Sequence, residues 1–547
     1  MIDFFKKIYL NLTLKEKRLV LFFLILFLIS AFVLIFIFFQ KSTISVPKSG
    51  GAIRLGIIGQ PANINFVLAK NQSDNILINL LFAPLSKLAD KIEPVNDSNL
   101  WRLRLKENLF WSDGKKITSD DIVFTIFKIK EAQDNSLLYP FWKNIEAERL
   151  SELEVQFKLG EKYSFFSEIL NNFYIVPKHI FADLPVLNWN LSEYNFHPIS
   201  NGKYIVDSIN ISKSGFISEI ILKINKYYLE QKPYINQINI KFYPNQENLF
   251  KAFNNGEIDV FPFVNLNDFS KLDFKRPFNI FSFPVLNYYG VFINQSKNLG
   301  LKDLNVRRAM FISLDRSELV NKVFNGFSNP AFNPLPWFND FKIENNFNLD
   351  EANKILDESG WKLNDSKIRE KKIKDTLIQL NFKLHVPDSE FLIKTADILA
   401  ESWSKIGIKI EIIKSGPDEL LEKNIMNRDY ELIIFGNAIY PNFNLYPFWH
   451  SSFIFYPGLN LALYSNNKVD DLLINLYQKL NIDKNQILNN ILENIYNDYP
   501  AIFLYQPKYL MITSKNIYGI KELLINNEED MFSDINLWYL KTKRVFK

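Results

Sequence analysis

From Leu19 to Phe39 every residue is apolar except Ser30. A helix needs about 20 such residues to cross the hydrocarbon core of a bilayer, so this run fits a membrane span. The apolar region of a cleaved secretory signal is shorter, roughly 7–15 residues, and ends at a small-residue site of A-x-A type. Here Phe36-Ile37-Phe38-Phe39-Gln40 stands where that site would be. A globular helix shows a polar stripe along one side, and this run has none. A single transmembrane helix over 19–39 is therefore predicted. Lys6, Lys7, Lys15, Lys17 and Arg18 precede it, while Lys41 and Lys48 follow. The positive-inside bias then places 1–18 in the cytoplasm and everything from about residue 41 outside. No later stretch of that length lacks charges, so the chain spans once and forms no channel.

The remainder is long enough for several folding units, at roughly 150 residues each. A content of 47% hydrophobic and 23% charged residues is close to that of ordinary globular chains. Most of the formal charge of +4 sits in the first 18 residues, so the body is nearly neutral. It lacks the basic excess that phosphate neutralisation demands, which excludes nucleic acid as a partner. The chain holds no cysteine, so it offers no disulfide, no thiol nucleophile and no cysteine to carry a lipid. Its 15% aromatic content, with 50 Phe, reads as compositional bias and marks no site by itself.

Beyond the anchor, residues 40–50 have linker composition, with Ser42, Ser45, Pro47, Ser49 and Gly50 before Gly51. Strand patterns over Ala52–Ile58 and Ile235–Phe242 alternate with helical patterns over Ser119–Ala132 and Asn248–Asn254, which implies α/β lobes. Thr118-Ser119-Asp120-Asp121 opens a helix with capping hydroxyls and carboxylates at its positive end. Leu349 to Leu356 reads as a helix that closes near Gly360. No repeat of fixed 20–50-residue period is present.

Taken in order, these segments resemble the family 5 extracellular solute-binding proteins of ABC transporters, the oligopeptide-, dipeptide- and nickel-binding group. The resemblance runs from about residue 50 to 510. Its most distinctive stretch is Trp101-Arg102-Leu103-Arg104-Leu105 with Phe110-Trp111-Ser112-Asp113-Gly114-Lys115-Lys116-Ile117-Thr118. There Asp113-Gly114 reads as a turn before the capped helix, a structural role. Gly50 to Gly56, Asn225-Lys226-Tyr227-Tyr228, Asn255 to Val260, Asn287 to Asn294, Leu304 to Met310 and Trp403 to Ile408 match further family segments. Asn494 to Pro507 fits the last helix and the return crossing.

The resemblance implies a two-lobed, periplasmic-binding-protein-like α/β fold of class II, with an extra subdomain in lobe one. Lobe one would cover 51–283 with an insertion at 88–199, lobe two 284–504, and 505–547 would return to lobe one. Two crossings would form a hinge, and hinge closure would enclose the ligand. The implied partners are a peptide or other small polar solute, the permease and ATPase subunits of an importer, and the bilayer through the N-terminal helix. Ligand-binding candidates near the hinge are Tyr288, Tyr289, Asn437, Tyr440, Asn442 and Trp449, each of which also reads as ordinary core or hinge packing.

Two departures from the family pattern matter. Ser200-Asn201-Gly202-Lys203-Tyr204 stands where the family usually has Gly, a small hydroxyl residue, Gly, Pro and Tyr, with the turn kept through Asn201-Gly202. Ile439 follows Ala438 where peptide binders often place an acid for the peptide ammonium. Its absence removes a charge-assisted hydrogen bond, which leaves blocked peptides, sugars and other polar solutes open as ligands. A membrane-tethered receptor with the same fold and no transporter is the alternative reading.

Catalysis is not indicated. His179, His197, His385 and His450 stand far apart in sequence, and no HExxH, GxSxG, GxxxxGK[ST] or GxGxxG pattern occurs. Adjacent Asp120 and Asp121 face different ways on a helix. No metal or cofactor is expected.

Overall fold

In the computed structural model, which describes residues 12–95, 99–263, 272–343, 345–440 and 443–546, the apolar run lies within a longer helix, Leu14–Ser42. Thr13 and Glu16 start it through a reciprocal capping box, the Thr13 amide donating to the Glu16 carboxylate at 2.8 Å. Such a box satisfies amides at a helix start that hydropathy does not register. None of the described side chains in the apolar part of the helix is buried. Most of the expected cytoplasmic tail, residues 1–11, lies outside the described residues.

The 40–50 segment, expected as a linker, holds regular structure. Thr43–Lys48 is a strand, paired antiparallel with Lys541–Phe546 so that Thr43 faces Phe546 and Lys48 faces Lys541. Thr43, Ile44 and Val46 are β-branched and suit an extended chain. Their partner is 501 residues away where Arg544 donates to the Thr43 hydroxyl, so no local pattern announces it. The linker character is confined to the two glycines, Gly50 and Gly51, whose φ of 125° and 95° favours residues without a Cβ.

A 12-stranded sheet runs through both lobes. In the first, Ala52–Ile58 lies parallel to Gln237–Tyr243, and antiparallel strands Ile217–Ile224 and Tyr204–Ile211 complete that edge. In the second, Asn287–Ile293 pairs with Leu432–Ala438, followed by Asn381–Pro387 and Lys409–Ser415. The 14-residue strand Ala501–Ser514 joins the two halves. Its start pairs with Asn287–Ile293 and its end with Val260–Phe263 and Phe278–Pro284.

The chain thus crosses between lobes twice, near Val285 and near Gln506, and the crossings are bonded to each other. The Val285 amide donates to Pro507 O at 3.1 Å, and Gln506 Nε2 donates to Val285 O at 3.0 Å. Gln506 is buried and also accepts from Ser328 Oγ and Asn329 Nδ2.

A separate four-stranded sheet, in the order Ala89–Pro94, Leu100–Leu105, Glu154–Lys158, Glu146–Arg149, forms the inserted unit. Helix Ser119–Ala132 packs on it. Gly114 has φ 89° and its amide closes the turn onto Trp111 O at 2.9 Å. Asp121 is buried, with its carboxylate accepting the amides of Thr118 and Lys178. Asp120 instead pairs outward with Lys178 and Arg149. The two carboxylates therefore serve a helix cap and a surface network.

The altered turn at residues 200–204 is held by close backbone approach. Gly202 N donates to Leu81 O at 2.7 Å, and a Cβ there would lie 2.5 Å from the Leu81 carbonyl carbon. Asn201 Oδ1 accepts the Ala83 amide. In the second lobe, helix Leu349–Glu358 is capped by Asn348 and ends before Gly360 at φ 83°. Much of the aromatic content goes into packing: Trp111, Trp189, Trp361, Trp403, Trp449 and Trp538 are all fully buried.

Candidate functional site

A cavity of about 770 Å³ opens between the lobes. The first lobe contributes Phe66, Asn75 and Ile78, and the inserted unit contributes Phe141, Trp142, Tyr163 and Tyr174. Leu286, Ala438, Tyr440 and Asn444 face it from the second lobe, and Asn526, Glu529 and Asp530 from the C-terminal return. A volume of this order with mostly apolar walls and a few polar groups suits a small organic or peptide-sized ligand.

The inserted unit touches the second lobe at one end. Ser164 donates from its amide to Tyr477 O at 2.8 Å and from Oγ to Leu476 O at 2.7 Å. The Tyr163 ring lies 4.9 Å from Tyr477, which stacks on Tyr446 at 4.6 Å. Lys484 sits over the Phe165 ring at 4.4 Å.

Three successive carboxylates stand on the turn Glu528–Phe532, which packs against helix Gln72–Leu81. Asp530 caps that turn by accepting the amides of Asn526 and Asn527 at 3.0 and 3.3 Å. Burial pushes the Glu528 carboxyl up to about 8, with the Glu529 charge adding to the effect. Burial likewise brings Glu529 up to about 7, opposed by hydrogen bonds and reinforced by Asp530. Asp530 is also raised by burial against the amides that hold it. The cost of burying charge outweighs local hydrogen bonding here.

A second cavity of about 310 Å³ shares Asn172, Tyr174, Asn526 and Asp530 with the first. At its far side Lys203, standing where the family usually has proline, donates to Ser533 O. Burial lowers its ammonium to about 8, against the opposing pull of Asp534 and Glu230.

Of the sequence-predicted site residues, Tyr440 lines the larger cavity, and its hydroxyl donates to Glu168 O at 3.4 Å. Tyr288, Asn437 and Trp449 lie instead in the core of the second lobe. Asn437 Nδ2 donates to Tyr288 Oη at 2.9 Å, and Trp449 is fully buried beside Phe503. Tyr289 is half-buried between Phe391 and Tyr505. Asn442 lies outside the described residues. Ile439 is fully buried, its amide donating to Leu286 O, while its neighbours Ala438 and Tyr440 face the cavity. The pattern continues past strand Leu432–Ala438, along which successive residues point to opposite faces. No comparable local signal marks Glu529 and Asp530, which reach the cavity through tertiary packing alone. Among the described residues no group of three or more His, Asp or Glu side chains is placed to hold a metal.

Two lobes, a double crossing between them and a cavity at their junction define a solute-binding protein of the periplasmic type. The chain belongs to the bacterial extracellular solute-binding proteins, family 5, whose middle-region model matches residues 83–455. It is a binding protein and not an enzyme. It is 27% identical to the oligopeptide-binding protein AppA of Bacillus subtilis (strain 168), over 91% of this chain and 93% of that one. The structure of AppA from Bacillus subtilis in complex with a nonapeptide superposes with a TM-score of 0.60 at 26% identity, covering 91% of this chain and 100% of AppA. The ABC transporter substrate-binding protein CtaP of Listeria monocytogenes gives a TM-score of 0.71 at 21% identity, over 90% of this chain and 100% of CtaP.

Proposed function

We propose that this chain is the membrane-tethered, extracytoplasmic substrate-binding subunit of an ABC importer, enclosing a peptide between its lobes and presenting the closed form to a permease. The observation that carries this reading is the 770 Å³ cavity at the junction of two lobes joined by two crossings. The similarity to AppA, described with a nonapeptide, supports a peptide as the ligand. The exposed apolar helix Leu14–Ser42 supports the tether, with the binding body outside. In this reading lobe one covers 51–283 with its insertion at 88–199, lobe two covers 284–504, and 505–547 closes lobe one. A permease that recognises the closed form couples delivery to occupancy, because ligand and permease then favour the same state.

The test is a thermal-shift series on the full chain in lipid nanodiscs with di-, tri- and longer peptides, sugars and Ni²⁺. A ligand bound to the native state raises Tm by mass action. A rise with peptides supports peptide capture; a rise with sugars or Ni²⁺ and none with peptides contradicts it. Alkaline carbonate extraction of cell membranes tests the tether. Retention of the full-length chain in the pellet is expected, and release into the supernatant contradicts anchoring.

A further inference from the structure

The cleft described above is built from hydrogen-bond acceptors and aromatic faces. Its lining holds the carboxylates of Glu161, Glu529 and Asp530 and, among the described residues, no Lys, Arg or His. Asn444 lines it with only 8% of its surface exposed, and its Oδ1 has no hydrogen-bond partner. Asn526 donates its backbone amide to Asp530 at 3.0 Å, and its side-chain Oδ1 is likewise buried without a partner. A buried acceptor without a donor is costly until one arrives. Asn444 faces the return segment from the opposite lobe, so its orphaned oxygen is an observation independent of the acidic turn. Trp142, Tyr174 and Tyr440 line the same cleft, rings whose faces attract cations.

We propose that this cleft selects its ligand by positive charge: an ammonium or guanidinium group is seated at Glu529 and Asp530 and reaches acceptors on both lobes, in place of the acid that position 439 lacks. This rests on reading the cleft as the ligand site. The seat lies in the C-terminal return to lobe one, whereas the missing acid belongs to lobe two, so the ligand's charged end is held by the opposite wall.

The groups facing the seat are consistent with it. The Tyr174 and Tyr440 phenols both feel the Asp530 charge, and Tyr509 feels Glu528 and Glu529. On the helix packed against the turn, Asp74 is committed to the amides of Ala62 and Asn63. Lys203 lies beyond the cleft in the second cavity, with Asp534 and Glu230 nearby. Among the described residues, no Lys, Arg or His lines the cleft that holds Glu529 and Asp530. Burial holds Glu529 partly protonated near neutral pH, so a bound cation that favours the ionised form displaces a proton.

The experiment is isothermal titration of the full chain in nanodiscs with three peptides that differ in charge. They are Lys-Phe-Leu-Phe amide with a free N-terminus, N-acetyl-Gln-Phe-Leu-Phe amide, and N-acetyl-Glu-Phe-Leu-Phe acid. The cationic peptide is expected to bind at least about 10-fold tighter than the neutral one, with the anionic one weakest. Its heat at pH 7 should vary with the ionisation enthalpy of the buffer, reporting proton release. Glu529→Gln, which spares the Asp530 cap, should cost the cationic peptide about 10-fold more than it costs the neutral one. Equal or tighter binding of the neutral or anionic peptide overturns charge selection while leaving peptide capture intact. An unchanged cationic preference in E529Q overturns the seat. If none of the three binds, peptide capture fails, and phenethylammonium against phenylacetate decides the rest. Preference for the ammonium sustains charge selection, and no preference overturns it.

Discussion

Gly436 sits opposite Tyr289 in the strand pair, and a Cβ there would lie 2.8 Å from the Tyr289 ring. Gly436→Ala must push that ring off its contacts with Phe391 and Tyr505. A loss of about 1–3 kcal/mol is expected for such overpacking, read by urea denaturation. Gly202→Ala should cost more, because the obstruction is the Leu81 backbone and no flexible side chain can yield. If both variants match the parent, the close approaches are not real constraints. Glu528 makes a pH-dependent claim. Its folded value of about 8 stands above the ordinary 4.5, so the native state holds the proton more tightly than the unfolded chain. That contribution is complete below about pH 4.5 and is lost as pH rises through about 8. Tm of the parent should therefore fall relative to Glu528→Gln between pH 5 and pH 8. Parallel Tm curves would contradict a buried, neutral carboxyl.

At the scale of elements, the ribbon of Thr43–Lys48 and Lys541–Phe546 joins the end of helix Leu14–Ser42 to residues 541–546. Deleting 541–547 should leave Ile44 and Val46 without their strand partner and abolish their amide protection in hydrogen exchange, with protection in Ala52–Ile58 retained. Persistent protection at Ile44 and Val46 would contradict the pairing. The two crossings between lobes are tied by Gln506, whose side chain donates to Val285 O and accepts from Asn329 Nδ2. Gln506→Ala leaves buried partners unsatisfied and is expected to cost about 1–3 kcal/mol by denaturation. Elements with local signatures were legible beforehand: Ser119–Ala132 follows from its capping residues and Ala52–Ile58 from its β-rich pattern. The ribbon was not, because an edge strand of six residues needs a partner that sequence distance hides. The cleft was partly legible. Tyr440, a candidate from its loop, lines the cavity, whereas Tyr288 and Asn437, candidates from their place near the crossing, stand on strands whose alternation turns them inward. Glu529 and Asp530 carry no motif, and their meaning comes from the cavity that the fold closes around them.

For the whole molecule, capture by closure means that occupancy and lobe separation change together. The contacts now joining the inserted unit to the second lobe, Ser164 to Tyr477 and Tyr163 to Tyr477, are the ones that closure around a ligand would rearrange. The absence of cysteine makes this directly measurable, since two introduced cysteines carry the sole labels. Leu191 on the inserted unit and Phe455 on the second lobe are 82% and 79% exposed and accept spin labels without disturbing the core. The decisive measurement is the label-to-label distance distribution of the Leu191→Cys, Phe455→Cys chain in nanodiscs, with and without saturating Lys-Phe-Leu-Phe amide. Capture between the lobes requires a shorter and narrower distribution with peptide. An unchanged distribution at demonstrated saturation would contradict enclosure of the ligand by the two lobes.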